Sequence, residues 1–319
     1  MKLKELYDFF ISYGIKNDPR GEKEVENLLK KQREKYEQLS EKEKRYFDLE
    51  QLNNPYNDTR ILVGKGDEEI KTILVGIDME VPEILLANML TQQGKKIDLV
   101  LSHHPEGIGY RNFYEVMGMQ ADILNKFGVP INIAEGIMEP RMREVQRKLM
   151  PINHNRAVDV ASLLNIPFVC CHTAADNCVA SFLQKMFDKK NPKYLQEVVD
   201  LLLELPEYEY AAKLGSGPVI LNGNKDRKAG KIFVDMTGGT EGSTEVFEKL
   251  AVAGVGTVVA MHLSEEHFKN AQKYHINVVI AGHIASDTLG LNLMLDAVEE
   301  KFGELNIYCV SGFKRFKHV

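Results

Sequence analysis

No apolar stretch in the 319-residue sequence runs for more than a handful of residues, far short of the roughly 20 that a membrane-spanning helix needs. The chain opens Met-Lys-Leu-Lys-Glu, without the apolar run of a secretory signal. Together these absences predict a cytoplasmic protein with no membrane partner. Cysteine is scarce: the four are Cys170, Cys171, Cys178 and Cys309. None is paired as CxxC, which fits reduced thiols and excludes a disulfide framework or a zinc–thiolate site. Positive charge is not in excess either, with 40 Lys and Arg against 46 Asp and Glu and a formal net charge of −6. Nucleic acid is therefore not an expected partner. There is no fixed-period repeat and no low-complexity tract. What remains is ordinary globular material, 44% hydrophobic and 27% charged, enough for one large or two modest domains.

Charge crowds the start, where 24 of the first 50 residues are Lys, Arg, Asp or Glu. This shift marks residues 1–54 as a charged helical N-terminal extension. Leu3, Leu6, Tyr7, Phe10 and Ile11 fall on one helical stripe ending at Gly14, and Val25, Leu28, Leu29, Tyr36 and Leu39 are the apolar positions of a second helix. Ser40 with Glu43 is a capping-box pattern that starts a third helix through Leu49. Mixed-sign charge runs are usually exposed faces, so the segment reads as a solvated extension or packing arm, with an oligomer contact as the alternative. Asn53, Asn54, Pro55 and Asp58 supply turn chemistry at the boundary.

Beyond it the period changes. Short β-branched runs at 72–77, 97–101, 168–171, 232–234, 257–260, 278–281 and 306–310 alternate with helix-period stretches at 82–93, 112–127, 176–187, 243–253, 264–274 and 286–302. That alternation is an α/β signature, and the continuous apolar strands indicate buried, largely parallel sheets.

In such sheets functional groups collect beyond the carboxyl ends of the strands, and here those ends are rich in histidine. One strand leads to His103 and His104, another to His172 with Asp176 four residues on, a third to His262, and a fourth to His283 with Asp287 four residues on. Five of the nine histidines thus follow strands. Imidazoles and carboxylates without thiolates suit zinc, manganese or iron. Adjacent His103 and His104 point in different directions from an extended segment, so each can serve a different ion. His283 and Asp287 can meet around one site if a helix begins near Ser286. Two divalent ions roughly 3.5–4 Å apart generate hydroxide from water near neutral pH. His154, His267, His275 and His318 read as packed or exposed.

The segments DLVLSHHP (98–105), HTAAD (172–176) and AGHIASD (281–287) resemble the three metal motifs of the Nif-three-like family, also called GTP cyclohydrolase I type 2-like; residues 57–64 and VGIDM (75–79) are similar to its opening strand region. The resemblance covers roughly residues 55–319. It implies two linked α/β lobes, roughly 55–190 and 215–319, with a metal centre between them. Carried over by motif, it implies that His103, His104, Asp176, His283 and Asp287 hold two divalent ions per chain, zinc, iron or manganese, with His172 beside the site. Asp287 stands where the family typically has Glu. The resemblance further implies a homo-oligomer, with a toroidal hexamer as the family's usual form. The activity it implies is metal-dependent hydrolysis by metal-generated hydroxide on a small-molecule substrate, a nucleotide or related heterocycle as in GTP ring opening. The alternative is a non-enzymatic metal-binding regulatory or interaction protein.

Several other features read as follows. The loop Thr237-Gly238-Gly239-Thr240-Glu241-Gly242-Ser243-Thr244 reads as a turn and helix cap that can border the cleft, with backbone N–H groups presented to a phosphate as the alternative. His262 is a candidate proton shuttle, with a supporting or exposed role as the alternative. Cys170 and Cys171 are small core residues. Asp78 caps the following helix, with orientation of a ligand as the alternative.

Overall fold

In a computed structural model that describes residues 1–318, the alternation of apolar runs and amphipathic stretches builds two sheets. The charged N-terminal segment forms α1 (Leu3–Lys16), α2 (Glu22–Glu37) and the single turn α3 (Glu41–Lys44). The first sheet takes β1 (Thr59–Val63), β2 (Thr72–Gly76), β3 (Leu99–Ser102) and β4 (Phe168–Cys171). After β2 comes α4 (Val81–Gln92), and between β3 and β4 lie α5 (Gly107–Arg111), α6 (Met119–Phe127), α7 (Ile131–Leu149) and α8 (Arg156–Leu163). A long helix α9 (Thr173–Lys190), then α10 (Leu195–Leu203) and α11 (Pro206–Lys213), lead to the second sheet. That sheet is β5 (Val219–Asn222), β6 (Lys231–Asp235), β7 (Val255–Ala260) and β8 (Asn277–Ile280), with α12 (Val246–Val252) and α13 (Glu265–Lys273) in its crossovers. Finally α14 (His283–Phe302) returns the chain to the first sheet, which β9 (Asn306–Cys309) completes.

The two sheets share one topology. Strand order is β1-β4-β3-β2-β9 in the first and β5-β8-β7-β6 in the second. In each, the leading strand runs antiparallel to the fourth while the others pair in parallel. The repeat has no fixed sequence period because the crossover from β3 to β4 carries four helices and its counterpart only α13.

Burial explains the layers. Along β2 and β3, Ile73, Val75, Leu99 and Leu101 face one core and Leu74 and Val100 the opposite one, as alternation in a strand requires. The inner core holds α9 and α14; the outer one holds α4 and α8. The second sheet repeats this, with α9 and α14 on one face and α6, α7, α12 and α13 on the other. A helix packed on both sides is buried nearly all round, and α14 is buried continuously from Ala285 to Asn292. Gly290 is where it meets α9: an added Cβ would lie 2.7 Å from the Ala175 carbonyl oxygen.

The N-terminal segment divides between the two roles expected of it. Leu3, Leu6 and Phe10 of α1 are fully buried against the first sheet and α9, where truncation of Leu6 to Ala costs on the order of 2–5 kcal/mol. By contrast α2 buries only Val25 and α3 nothing. The third helix does not reach Leu49; it ends after Lys44, and a 3₁₀ turn (Leu49–Leu52) capped by Asp48 follows. The Ser40–Glu43 capping box is present, but without a face to bury a helix of this length does not propagate. The stretch 112–127 also divides, into a 3₁₀ turn (Phe113–Gly118) and α6. No helix among the described residues is long and apolar enough to cross a membrane.

Candidate metal centre

The carboxyl ends of β3, β4, β7 and β8 converge where α9 and α14 begin. β3 delivers His103 and His104, β4 delivers His172 as the N-cap residue of α9, β7 leads to His262, and β8 leads through Gly282 to His283, the first residue of α14. The helix thus starts at His283, three residues ahead of the expected Ser286. Gly282 makes that entry possible: its φ is +113°, and a Cβ there would lie 3.0 Å from the Ser216 carbonyl oxygen. A carboxylate follows each of His172 and His283 by four residues, so Asp176 and Asp287 sit one turn into two paired helices.

Asp287 lies at the middle of the cluster. Its Oδ1 is 3.4 Å from Nε2 of His103, and its Oδ2 is 3.5 Å from Nε2 of His104 and 3.5 Å from Nε2 of His283. Asp176 Oδ1 is 3.3 Å from the same His103 nitrogen. Three sets of ligand-capable atoms result, each within 4.8 Å: His103 with Asp176 and Asp287, His104 with His283 and Asp287, and His103 with His104 and His172. The structure therefore brings all five carried-over residues together, with His172 beside them.

The imidazoles are held from behind. Nδ1 of His103 donates to the Cys171 carbonyl at 3.1 Å, Nδ1 of His104 to Asp78 at 2.6 Å, and Nδ1 of His172 to Asp58 at 2.8 Å. Occupying Nδ1 in this way leaves Nε2 as the atom facing the cluster, the arrangement that fixes the tautomer of metal-binding histidines. Asp78 is thus not the helix cap it was expected to be: Glu80 is the N-cap residue of α4, and Asp78 orients His104. Asp58, fully buried and also accepting from Thr173 Oγ1 at 2.6 Å, was missed. Only the antiparallel pairing of β1 with β4, Thr59 opposite Cys171, sets it beside His172, and no local pattern announces that.

The electrostatics call for a cation. Asp176 and Asp287 are 4% and 1% exposed, and among the described residues their ion-pair partners are histidines, with no Lys or Arg. His103 Nε2, Asp176 Oδ1 and both oxygens of Asp287 are buried without a hydrogen-bond partner, a costly state unless something compensates. Burial pushes His103 and His104 toward the neutral form, yet the facing carboxylates, Asp287 foremost, raise them to about 10 and about 9. Burial likewise opposes ionisation of Asp287, but His103, His104 and His283 hold it far below the usual carboxylate range. Donor separations of 3.3–3.5 Å are those of two ligands about 2.1 Å from one shared ion. The residues present therefore fit a metal.

The opposite wall is the 237–244 loop. Gln120 Nε2 donates to the carbonyls of Gly238 and Thr240, both at 2.7 Å, and Glu241 accepts from the Ser264 amide at 2.7 Å and from His262 Nδ1 at 3.1 Å. Burial works against its ionisation, but His262 holds Glu241 down at about 2. The loop borders the cleft, and the His262 ring lies 4.8 Å from that of His283, tilted by 53°. Cys170 and Cys171 are wholly buried core residues. Of the remaining histidines, His267 is buried against Ser264 and Gly242 and His154 is half-buried.

No known family model matches the sequence. Over 248 residues the chain is 23% identical to the GTP cyclohydrolase 1 type 2 homolog of Pyrococcus horikoshii, spanning 76% of this chain and 86% of that protein. A solved NIF3 superfamily protein from Sphaerobacter thermophilus is similar with a TM-score of 0.69 at 28% identity, over 81% of this chain and 92% of that one. Reduced HcgD from Methanocaldococcus jannaschii shares the fold, with a TM-score of 0.51 at 14% identity over 80% and 89% of the two chains.

Proposed function

We propose, from the membership of the Nif-three-like family that the sequence relative and the solved fold both support, that the chain is a dinuclear metal-dependent hydrolase. The carrying observation is that the two oxygens of Asp287 face two different sets of imidazoles. On this reading His103 and Asp176 would hold one divalent ion and His104 and His283 the other, with the two Asp287 oxygens facing both sets. Zinc, iron and manganese all suit this ligand set. When bound, such a pair acidifies water and polarises an electrophilic carbon or phosphorus centre.

The chain's own residues do the rest. Asp78 and Asp58 aim His104 and His172, while the Cys171 carbonyl does the same for His103. His172 lies beside the ligands with its Nδ1 taken by Asp58, so its Nε2 is free to hold or accept a proton near the substrate. His262, oriented by Glu241 and half-exposed in the cleft, is the second proton carrier and the one open to solvent.

The relative's name directs attention to a nucleotide or related heterocycle as substrate. Metal-loaded protein assayed against phosphoesters, amides and nucleotides tests this: turnover of at least one class that disappears in His103→Ala supports the hydrolase. No turnover on any of them with the metal content intact supports the non-enzymatic metal-binding protein instead. The same reading includes a homo-oligomer, a hexamer in the family's usual form. Light scattering on the full chain checks it, and a concentration-independent monomer contradicts it.

A further inference from the structure

The chamber beside the His and Asp cluster has a volume of about 70 Å³, well below the roughly 300–1,000 Å³ of small-molecule sites. A reacting group fits there; the body of a substrate does not. Across a wall shared by Asp235, Met236, Thr237, Gly242 and Val246 lies a second chamber of about 300 Å³, between α1, α6 and α9 and the end of β6. That volume is at the lower end of small-molecule sites. Its walls are apolar, with Ile123, Leu124 and Phe127 from α6, Met138 from α7 and Phe233 from β6.

Its charged groups are arranged unevenly. Lys16, Lys126 and Lys185 line the chamber and are all exposed, and none has an ion-pair partner among the described residues. Lys126 spends one donor on the Pro19 carbonyl; the other two lysines make no hydrogen bond to the described residues. Asp235 sits instead on the wall toward the cluster, and its carboxylate has neither hydrogen-bond nor ion-pair partner among the described residues. Three unneutralised cations at one apolar cavity favour an anion, and an inner carboxylate favours a hydrogen-bond donor.

We propose that this second chamber binds the body of an organic anion: the acidic group at Lys16, Lys126 and Lys185, an apolar body of one or two rings against Phe127, Met138 and Phe233, and an N–H or O–H on Asp235. The donor-bearing end is then the end next to the metal centre, so the inference rests on the proposed metal site for its orientation and on the chamber for its affinity. The substrate class it selects is an amphipathic anion whose polar head, remote from its charge, lies at the wall nearest the metal centre.

The test uses the full chain, both chelator-treated and metal-loaded, with 6-hydroxynaphthalene-2-sulfonate as the calorimetric probe, because a sulfonate is a poor metal ligand. It should bind at least about tenfold more tightly than methanesulfonate, which lacks the body, or 2-naphthol, which lacks the charge. Lys16→Glu with Lys185→Glu should weaken it about tenfold, and Ser181→Phe, which fills the chamber from α9, should do at least as much with unchanged circular dichroism. Asp235→Leu should abolish the preference for this probe over naphthalene-2-sulfonate. Absent binding to the native chain, or binding indifferent to both the lysine and the Ser181 substitutions, would overturn the proposal. Metal content is measured on the same samples. A chain that takes up two ions and no probe overturns the chamber alone, and one that takes up the probe and no ion overturns only the metal reading.

Discussion

His172 and His283 occupy the same place in two copies of one topology. Each follows the fourth strand of its sheet, each opens one of the two long central helices, and each is followed four residues later by an aspartate. Their environments then diverge: His172 is tied through Nδ1 to buried Asp58, while His283 turns Nε2 to Asp287. The cluster therefore lies where the two sheets meet, and on the proposed reading the divergence separates a proton carrier from a ligand.

Asp78 gives the cleanest test of the support behind the ligands. Its side chain is 57% exposed, so removing it leaves the core untouched. Asp78→Ala should weaken the ion at His104 by about 10–100-fold, the usual effect of deleting the partner behind a metal-binding imidazole. Chelator competition on folded variant reads this directly, and unchanged affinity would mean that His104 is not a ligand.

Asp287 is one methylene shorter than the glutamate of the Nif-three-like motif that 281–287 resembles, and α14 starts at His283 with Gly282 as its entry. Asp287→Glu should therefore overfill the gap and lower second-ion affinity or activity. Asp287→Asn, which removes the charge facing three imidazoles, should weaken both ions by more than Asp78→Ala does. Tighter binding in the Glu variant would show that the gap is not closed.

Asp235 carries a pH dependence of its own. Burial, with Glu241 adding repulsion, raises its carboxyl to about 6 from the ordinary value of about 3.9. The folded chain then holds that proton more tightly than the unfolded chain, so this carboxyl favours folding at low pH and the advantage is lost as pH rises through about 4 to 6. Asp235→Asn should match the native melting temperature near pH 4 and exceed it by a few degrees at pH 7, in chelator-treated samples with no ligand. An equal difference at both pH values would contradict the assignment.

The clustered histidines and aspartates were legible because each belongs to a local pattern, a strand ending in His or a helix opening His-x-x-x-Asp. The residues behind them were not. Asp58 reaches His172 only through β1 pairing antiparallel with β4, and Asp78 reaches His104 only because β2 lies beside β3. The apolar stripe of α1 gave away the helix but not its burial, since the dense charge on α2 dominated the segment. α7 contains Pro140, which interrupts a helical reading, and β5 is a four-residue edge strand with Val219 and Leu221 exposed, too short and too open to stand out.

The most direct test of the dinuclear centre is the number of ions per chain after reconstitution with zinc, manganese or iron, counted by elemental analysis on folded protein. The native chain should hold two. Asp176→Ala, which removes an oxygen donor from the His103 side only, should keep about one, because the His104, His283 and Asp287 set stays intact. A native chain that never exceeds one ion, or an Asp176→Ala chain that still holds two, would contradict the dinuclear account.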